Sequence, residues 1–124
     1  MTHVEAGRAG RRPDILLLET NFRRDVATTV FRIFQGALTN VIRHAGATCV
    51  DVSLEERNRR IVLVVTDNGR GITPEQMRDG RSLGITGMRE RAYALRGRVR
   101  ICRAPGGGTT VIAHIPTGSQ GGDP

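Results

Sequence analysis

The sequence predicts an α/β two-layer sandwich, in which a mixed, mainly antiparallel sheet is covered by helices on one face. Three observations favour this class: long segments with helical periodicity, short segments that alternate apolar and polar residues, and a length of 124 residues. A chain of this length suits one domain, because it buries roughly two-thirds of its unfolded surface. We predict one folded domain over residues 13–116 and disordered segments at 1–12 and 117–124.

The amino-terminal half predicts a strand followed by a long helix. Ile15–Leu18 is typical of a short strand, and Asn21 and Asp25 are alternative caps for a helix that Gly46 ends. One broad face of this helix is apolar, which predicts the side that packs on the sheet. The face consists of Val26, Val30, Phe34, Ala37, Leu38, Val41 and Ala45.

A hairpin is predicted after this helix. Thr48–Glu55 alternates apolar and polar residues, and the polar turn at 57–59 leads back into an apolar strand that begins at Ile61. Farther along, Thr73–Gln76 is typical of a helix start with a capping box. The polar, glycine-bearing residues 76–83 suit a mobile flap.

An acid and two glycines stand at the end of the apolar strand. Asp67 follows the strand directly, and Gly69 and Gly71 are one residue apart. The glycines leave the backbone open to a ligand. A carboxylate at the mouth of an apolar slot accepts a hydrogen bond from an exocyclic amine such as that of adenine. The segment indicates a nucleotide pocket, and an ordinary surface turn over 67–71 is the alternative.

A second pair of glycines, Gly84 and Gly87, precedes a helix predicted to run through Met88–Arg96. The helix N-terminus would present free backbone N–H groups to this loop, which is how helices hold phosphates. A loop hinge before an ordinary helix is the alternative. Strands around 99–101 and over Thr109–Ile115 complete the predicted sheet.

The polar side of the first helix carries a stripe made of Arg32, Gly36, Asn40 and Arg43, with His44 at its border. The Asn40 amide oxygen suits Mg²⁺, an ion that prefers oxygen ligands and keeps much of its water. Arg43 and His44 suit contacts with phosphate oxygens or a role in orienting neighbouring residues. Taken singly, Asn40 is more often a solvated helix residue and His44 a packed or capping histidine, so the prediction depends on the whole stripe.

Composition excludes several classes of function. All 19 basic residues are arginine, so a Gly-Lys-Ser/Thr phosphate loop and lysine Schiff-base chemistry are excluded. The net charge of +7 favours an anionic ligand or an acidic partner over nucleic acid, because the arginines are scattered and aromatic residues are few. The two cysteines lack metal-ligand spacing. No segment is typical of a membrane span or a secretory signal, which predicts a cytoplasmic chain, or the cytosolic part of a membrane-bound protein, without direct membrane contact.

Four ordered segments resemble the successive boxes of the ATP-binding catalytic domain of sensor histidine kinases, most closely those of the nitrate-sensor-like branch. They are Phe31–Ala45, Asp67–Gly71, Gly84–Ala92 and Pro105–Thr109. These kinases share the nucleotide fold of DNA gyrase, the Hsp90 chaperone and the MutL repair protein. The resemblance covers about residues 15–116. It implies the histidine kinase/Hsp90-type ATPase fold, with ATP and Mg²⁺ as cofactors.

The resemblance also implies a role for the matching positions. Asn40 would bind Mg²⁺, Asp67 the adenine amino group, and Thr109 would back Asp67. Gly69 and Gly71 would form the adenine rim, and the loop 84–88 would hold the phosphates. With Arg43 and His44 from the polar stripe, the predicted ATP-binding residues are Asn40, Arg43, His44, Asp67, Gly69, Gly71, Gly84, Ile85, Gly87, Met88 and Thr109.

One departure from the family concerns catalysis. The first box usually carries glutamate where this chain has Gly36, one helical turn before Asn40 on the same face. A carboxylate there would stand over the metal and the γ-phosphate, able to polarise a nucleophile or to hold a metal-bound water. Gln35 lies about 100° around the helix. Because its amide is not basic, Gln35 cannot replace the missing glutamate. We therefore assign no catalytic residue.

The resemblance implies a two-component sensor kinase domain that transfers the ATP γ-phosphoryl group to a histidine on a separate dimerisation domain, with a response regulator as a further partner. His3, His44 and His114 lack the adjacent acid of acceptor histidines, so the chain is predicted to be a fragment without the acceptor. Two alternatives remain open. One is a catalytically impaired nucleotide-binding regulatory or interaction module, suggested by Gly36; the other is an anti-sigma-factor-type serine kinase.

Overall fold

The computed structural model describes residues 2–5, 24–79, 81 and 83–117. Within them the helices are α1 (Arg24–Asn40), α2 (Pro74–Asp79) and α3 (Ile85–Ala94), and α1 continues into a π-helical turn, Val41–Ala45. The strands are β1 (Thr2–Glu5), β2 (Cys49–Arg57), β3 (Arg60–Asp67), β4 (Arg98–Arg103) and β5 (Thr109–Pro116). The strand predicted at Ile15–Leu18 and the cap at Asn21 lie outside the described residues.

The five strands form one sheet in the order β1-β2-β3-β5-β4. Each neighbouring pair is antiparallel, so the sheet predicted as mixed and mainly antiparallel contains no parallel pair in its described strands. β2 and β3 form the predicted hairpin. Asn58 and Arg59 have φ values of 54° and 63° at its turn, and positive φ at both central residues is favoured in two-residue hairpins. The hairpin brings Asp67 to the end of β3, a strand paired on both sides.

Residues 2–5 differ from the disordered amino-terminal segment predicted for 1–12. They pair with β2 in a short antiparallel ladder, in which Val4 lies opposite Val50. Pairing satisfies backbone groups that β2 would otherwise expose at the edge of the sheet. A strand of four residues followed by glycine and arginine gives almost no periodic signal, because period-two alternation needs a longer window. At the other end, the Thr117 N–H donates to the Arg59 carbonyl at 3.0 Å.

Helices α1 and α3 cover one face of the sheet, which confirms the predicted two-layer sandwich. α1 contacts β3 and β5, and α3 contacts β4 and β5. Strand alternation places Ile61, Leu63 and Val65 beneath the helices, where each is at most 2% exposed. The opposite face of the sheet carries half-buried Val64 and exposed Arg100. None of the described helices is long and apolar enough to cross a membrane.

The apolar face of α1 is turned slightly from its predicted position. Its predicted members Val26, Val30, Phe34, Ala37 and Val41 are buried. Leu38 is only half-buried, whereas Ile33, which the predicted face left out, is completely buried. The position of the sheet decides which flank of a broad apolar stripe is covered, and periodicity alone does not fix that direction.

The boundaries of the helices follow local chemistry. Gly46 has a φ of 63° and ends the helical segment in the left-handed conformation that favours glycine, as predicted. The predicted capping box is present before α2: the Gln76 N–H donates to Thr73 Oγ1 at 3.1 Å, and the Thr73 N–H donates to Gln76 Oε1 at 3.0 Å. α3 begins at Ile85, three residues before its predicted start, with Gly84 as its cap.

Candidate functional site: a cleft between the first helix and the sheet

A cleft opens between α1, the sheet and the chain around α2 and α3. It encloses about 530 Å³ of space, part of which is open to solvent. Its apolar wall is formed by Ala37, Val41, Val65, Ile72, Leu83, Ile85, Ile101 and Val111. Its polar side chains are Asn40, His44, Asp67, Arg70, Gln76 and Thr109.

Asp67 is the buried polar residue of the described chain, at 7% exposure. Its Oδ1 atom accepts a hydrogen bond of 2.7 Å from the Gly69 N–H, which fixes the carboxylate at the end of β3. No donor within the described residues reaches Oδ2. A buried carboxylate oxygen without a partner is costly, so its geometry suits a ligand that brings a donor into the cleft.

Glycines allow two loops to pack backbone against backbone at this end of the cleft. Gly108, with a φ of 85°, lies so close to Asp67 that a Cβ atom at position 108 would stand 1.9 Å from the Asp67 carbonyl oxygen. Gly71 has a φ of 83°, and a Cβ atom there would stand 3.0 Å from the Gly108 oxygen. Because any side chain would separate the loops, the turn after β4 forms a rigid support for 67–71.

Asn40 lies at the end of α1, half-buried and lining the cleft. Its Nδ2 donates a hydrogen bond of 2.8 Å to the Leu83 carbonyl, which ties α1 to the segment before α3. This bond orients the amide and leaves Oδ1 as the side-chain oxygen available to a cation. No group of three His, Cys, Asp or Glu residues able to hold a metal occurs in the described ranges. A Mg²⁺ ion here would therefore depend on Asn40, ligand oxygens and water.

The π-helical turn Val41–Ala45 follows Asn40 directly. π-helical turns are rare and occur often at functional sites. Both His44 and Arg43 are exposed, but only His44 lines the cleft. The structure therefore brings His44 to the predicted site and leaves Arg43 outside the cleft. The sequence prediction assumed a regular helix through residue 45.

The predicted phosphate loop lies at the N-terminus of α3. Gly84 has a φ of 68° and provides no side-chain cap, and the Met88 N–H makes the first intrahelical bond, of 3.1 Å, to the Gly84 carbonyl. The N–H groups of residues 85–87 precede that bond and lack helical partners. Ile85 is buried and lines the cleft, and the positions around Gly84 and Gly87 are open. The loop thus has the open backbone of an anion site.

Met88 is buried in the core against α1 and does not line the cleft. A Cβ atom at Gly36 would lie 3.0 Å from Met88 Cε, so the methionine packs at the position where the family usually has glutamate. The Met88 side chain therefore packs in the core. Only the Met88 backbone belongs to the predicted phosphate loop.

Thr109 lines the cleft, but no hydrogen bond joins it to Asp67 within the described residues. The neighbouring Thr110 instead shares a hydrogen bond of 3.2 Å with Thr66 across β5 and β3. Gly69 lies in the loop and donates to Asp67 without lining the cleft. The sequence analysis missed Arg70 and Gln76 as lining residues, because their motifs had already been assigned to a turn and a helix cap.

Comparison with known proteins shows the family. Residues 25–119 match the family described as histidine kinase-, DNA gyrase B- and HSP90-like ATPase. The chain belongs to this family. It is a histidine-kinase-type ATP-binding catalytic domain, which confirms the resemblance found in the sequence.

Two curated relatives are named signal transduction histidine-protein kinase/phosphatase. DegS of Brevibacillus brevis is 39% identical over 95 residues, which cover 77% of this chain and 24% of that protein. UhpB of Salmonella typhimurium is 36% identical over 98 residues, which cover 79% of this chain and 19% of that protein. The chain therefore spans about a quarter or less of these relatives.

Two solved structures share the fold. A blue-light activated histidine kinase of Erythrobacter litoralis has a TM-score of 0.68 at 23% identity, covering 78% of this chain and 32% of that one. The ATP binding domain of PrrB from Mycobacterium tuberculosis has a TM-score of 0.65 at 23% identity, covering 75% of this chain and 70% of that one. These similarities support the described sheet and helices.

Proposed function

We propose that the cleft binds ATP with Mg²⁺ and that this chain, as part of a longer sensor kinase, transfers the γ-phosphoryl group to a histidine on a separate dimerisation and phosphoacceptor domain. The observation that carries the proposal is the buried Asp67 carboxylate, which keeps one oxygen on the Gly69 N–H and offers the other to the cleft. That oxygen suits the amino group of adenine and would repel the carbonyl that guanine has at the same position.

The remaining residues fit the parts of a nucleotide. Apolar side chains such as Val65, Ile101 and Val111 suit the faces of the base. The free N–H groups at the start of α3 suit phosphate oxygens, and exposed His44 lines the same cleft. Asn40 Oδ1 would hold Mg²⁺ together with phosphate oxygens and water. The bound ion would neutralise charge on the phosphates.

This chain's contribution to catalysis is positioning. Asp67 orients the base, the α3 N-terminus orients the phosphates, and the bond from Asn40 to the Leu83 carbonyl fixes the segment before α3. A histidine acceptor is favoured over the serine acceptor of an anti-sigma-factor-type kinase, because the two curated relatives are named histidine-protein kinases. A response regulator would receive the phosphoryl group next.

Gly36 favours a second candidate, a nucleotide-binding regulatory module with weak transfer. Where a carboxylate would act on the γ-phosphate, this chain has a glycine and the packed Met88 side chain. Both candidates require the same ATP site. They differ in whether a matched histidine-bearing domain becomes phosphorylated.

The deciding experiment is calorimetric titration of the full chain with ATP, ADP and GTP, with and without Mg²⁺. We expect adenine-selective binding in the micromolar range, about 8 kcal/mol. The Asp67→Asn variant should lose this selectivity while it remains folded. Equal binding of ATP and GTP, or no binding by a folded sample, would contradict the proposal. Phosphorylation of an added dimerisation domain with radiolabelled ATP then separates the kinase from the regulatory module.

A further inference from the structure

Arg103 is the last residue of β4. Among the described residues, its side chain is the one that hydrogen-bonds from this strand to the end of the loop that begins at Asp67. Its Nη1 donates a hydrogen bond of 3.3 Å to the Ile72 carbonyl. A Cβ atom built on Gly71 would lie 3.2 Å from both Cζ and Nη1 of Arg103. The guanidinium therefore packs directly against the Gly71 backbone while it bonds to the next residue.

The loop needs such a support. Gly69 and Gly71 give it a large conformational freedom, and a loop that is ordered only when ligand binds weakens binding by the cost of ordering. Asp67 Oδ1 holds the start of the loop through the Gly69 N–H, at 2.7 Å. Arg103 holds its end, because Ile72 is the last loop residue before the capping box of α2.

Arginine suits this position for a physical reason. Its flat guanidinium lies against a glycine backbone and still directs an N–H group at a carbonyl oxygen, which a compact ammonium does less well. Ile72 as a whole is 6% exposed, and a backbone carbonyl in a mostly buried residue gains from a protein donor. The side chain does not line the cleft, so it reaches the ligand only through the loop.

We infer that Arg103 is a positioning residue for adenine recognition: it fixes residues 69–72 in the shape that presents Asp67 and the glycine rim to the base. The inference rests on the proposed ATP site. The role of Arg103 thus differs from that predicted for Arg43, which the sequence assigned to phosphate oxygens. Loss of the Arg103 side chain should weaken the binding of ATP, ADP and adenosine by the same factor, since all three contain the same base.

The test compares three variants of the full chain: Arg103→Gln, Arg103→Lys and Arg100→Gln. Arg100 is the matched control, because it lies on the same strand, is exposed on the opposite face of the sheet and loses the same charge. We expect Arg103→Gln to weaken ATP, ADP and adenosine about tenfold each. Arg103→Lys should weaken binding by an intermediate factor, about threefold, because it keeps a charged donor but loses the flat guanidinium that packs on the Gly71 backbone. Arg100→Gln should bind as the unmodified chain does.

Hydrogen exchange of the ligand-free proteins provides a readout that does not depend on nucleotide. The amides of residues 69–72 should exchange faster in Arg103→Gln than in Arg100→Gln, while amides in β3 and α1 exchange at equal rates. Unchanged exchange at 69–72, or a loss confined to ATP and absent for adenosine, would overturn the inference. If the unmodified chain bound no nucleotide, the proposed function would fail, and the exchange experiment would still decide whether Arg103 holds the loop.

Discussion

The two ends of the cleft are built differently. At the base end, the loop 67–71 and the turn after β4 pack backbone against backbone, and Asp67 is 7% exposed. At the proposed phosphate end, Gly84 is exposed, and among the described residues no other part of the chain packs within 4 Å of the Cβ position of Gly84 or Gly87. The difference teaches that the proposed base site is already closely packed in the chain by itself, whereas the proposed phosphate site is open.

The largest expected effect is a loss of stability where the loop 67–71 packs on the turn after β4. Gly108→Ala would place a Cβ atom 1.9 Å from the Asp67 carbonyl oxygen, at a φ of 85°. Since both the clash and the backbone strain must be relieved, we expect the free energy of unfolding to fall by about 4 kcal/mol. Urea denaturation followed by circular dichroism measures this loss.

The control for this variant is Gly106→Ala in the same turn. Gly106 has a similar φ of 81°, but no described residue beyond its chain neighbours lies within 4 Å of its Cβ position. Gly106→Ala should therefore lower the free energy of unfolding only by the cost of backbone strain, about 1 kcal/mol. Equal losses of stability in the two variants would show that the close approach of Gly108 to Asp67 does not stabilise the fold.

The second effect concerns ligand binding rather than stability. Asp67→Asn keeps the size of the side chain and an oxygen for the Gly69 N–H, but it turns an N–H₂ group toward the cleft. We expect ATP affinity to fall about 100-fold, which corresponds to about 2.7 kcal/mol, because two donors then face each other. Calorimetric titration checks this, with thermal unfolding as the control for fold. An unchanged dissociation constant for ATP would show that Asp67 does not contact the nucleotide.

The third effect tests the open end through Asn40. Asn40→Ala removes both the bond to the Leu83 carbonyl and the oxygen offered to Mg²⁺, whereas Asn40→Asp removes only the donor. Mg²⁺ should no longer strengthen ATP binding in Asn40→Ala, a loss of about tenfold, and should still do so in Asn40→Asp. Titration at several Mg²⁺ concentrations decides between them. Equal Mg²⁺ dependence in both variants would show that Asn40 does not hold the metal.

The smallest effect on binding is expected at Gly36. Gly36→Glu must displace only the flexible end of Met88, which lies 3.0 Å from the Cβ position. ATP affinity should change less than threefold, about 0.7 kcal/mol, while phosphorylation of an added histidine-bearing domain should rise. Gly36→Gln is the matched control, since it adds the same bulk without a base. If phosphorylation stayed the same in both variants, the regulatory module would become the better description.

Much of the fold could be predicted because its signals are local. The capping box at Thr73 and Gln76, the helix end at Gly46 and the β2–β3 hairpin each depend on a few neighbouring residues, and each was found in the structure. The helical face was predicted less well: Ile33 is buried and Leu38 is half-buried. Strand β1 was missed, because four residues carry too short a pattern to detect.

The candidate site was predicted in part for the same reason. Asn40, Asp67 and Gly71 stand in recognisable motifs, and they line the cleft together with His44, Ile85 and Thr109. Arg43 is exposed and does not line the cleft; it lies in a π-helical turn, where the sequence predicted a regular helix. Arg103 was missed as a functional residue, since its partners lie about thirty positions earlier in the chain.

The sequence alone determined the two-layer architecture, the family and the residue types at the cleft, because periodicity, caps and glycine motifs are encoded within short stretches of chain. The tertiary structure decided the distances between those stretches: the approach of Gly108 to Asp67, the bond from Asn40 to the Leu83 carbonyl and the contact of Arg103 with Gly71. These contacts form only when the sheet brings separate loops together and burial makes an unpaired polar group costly.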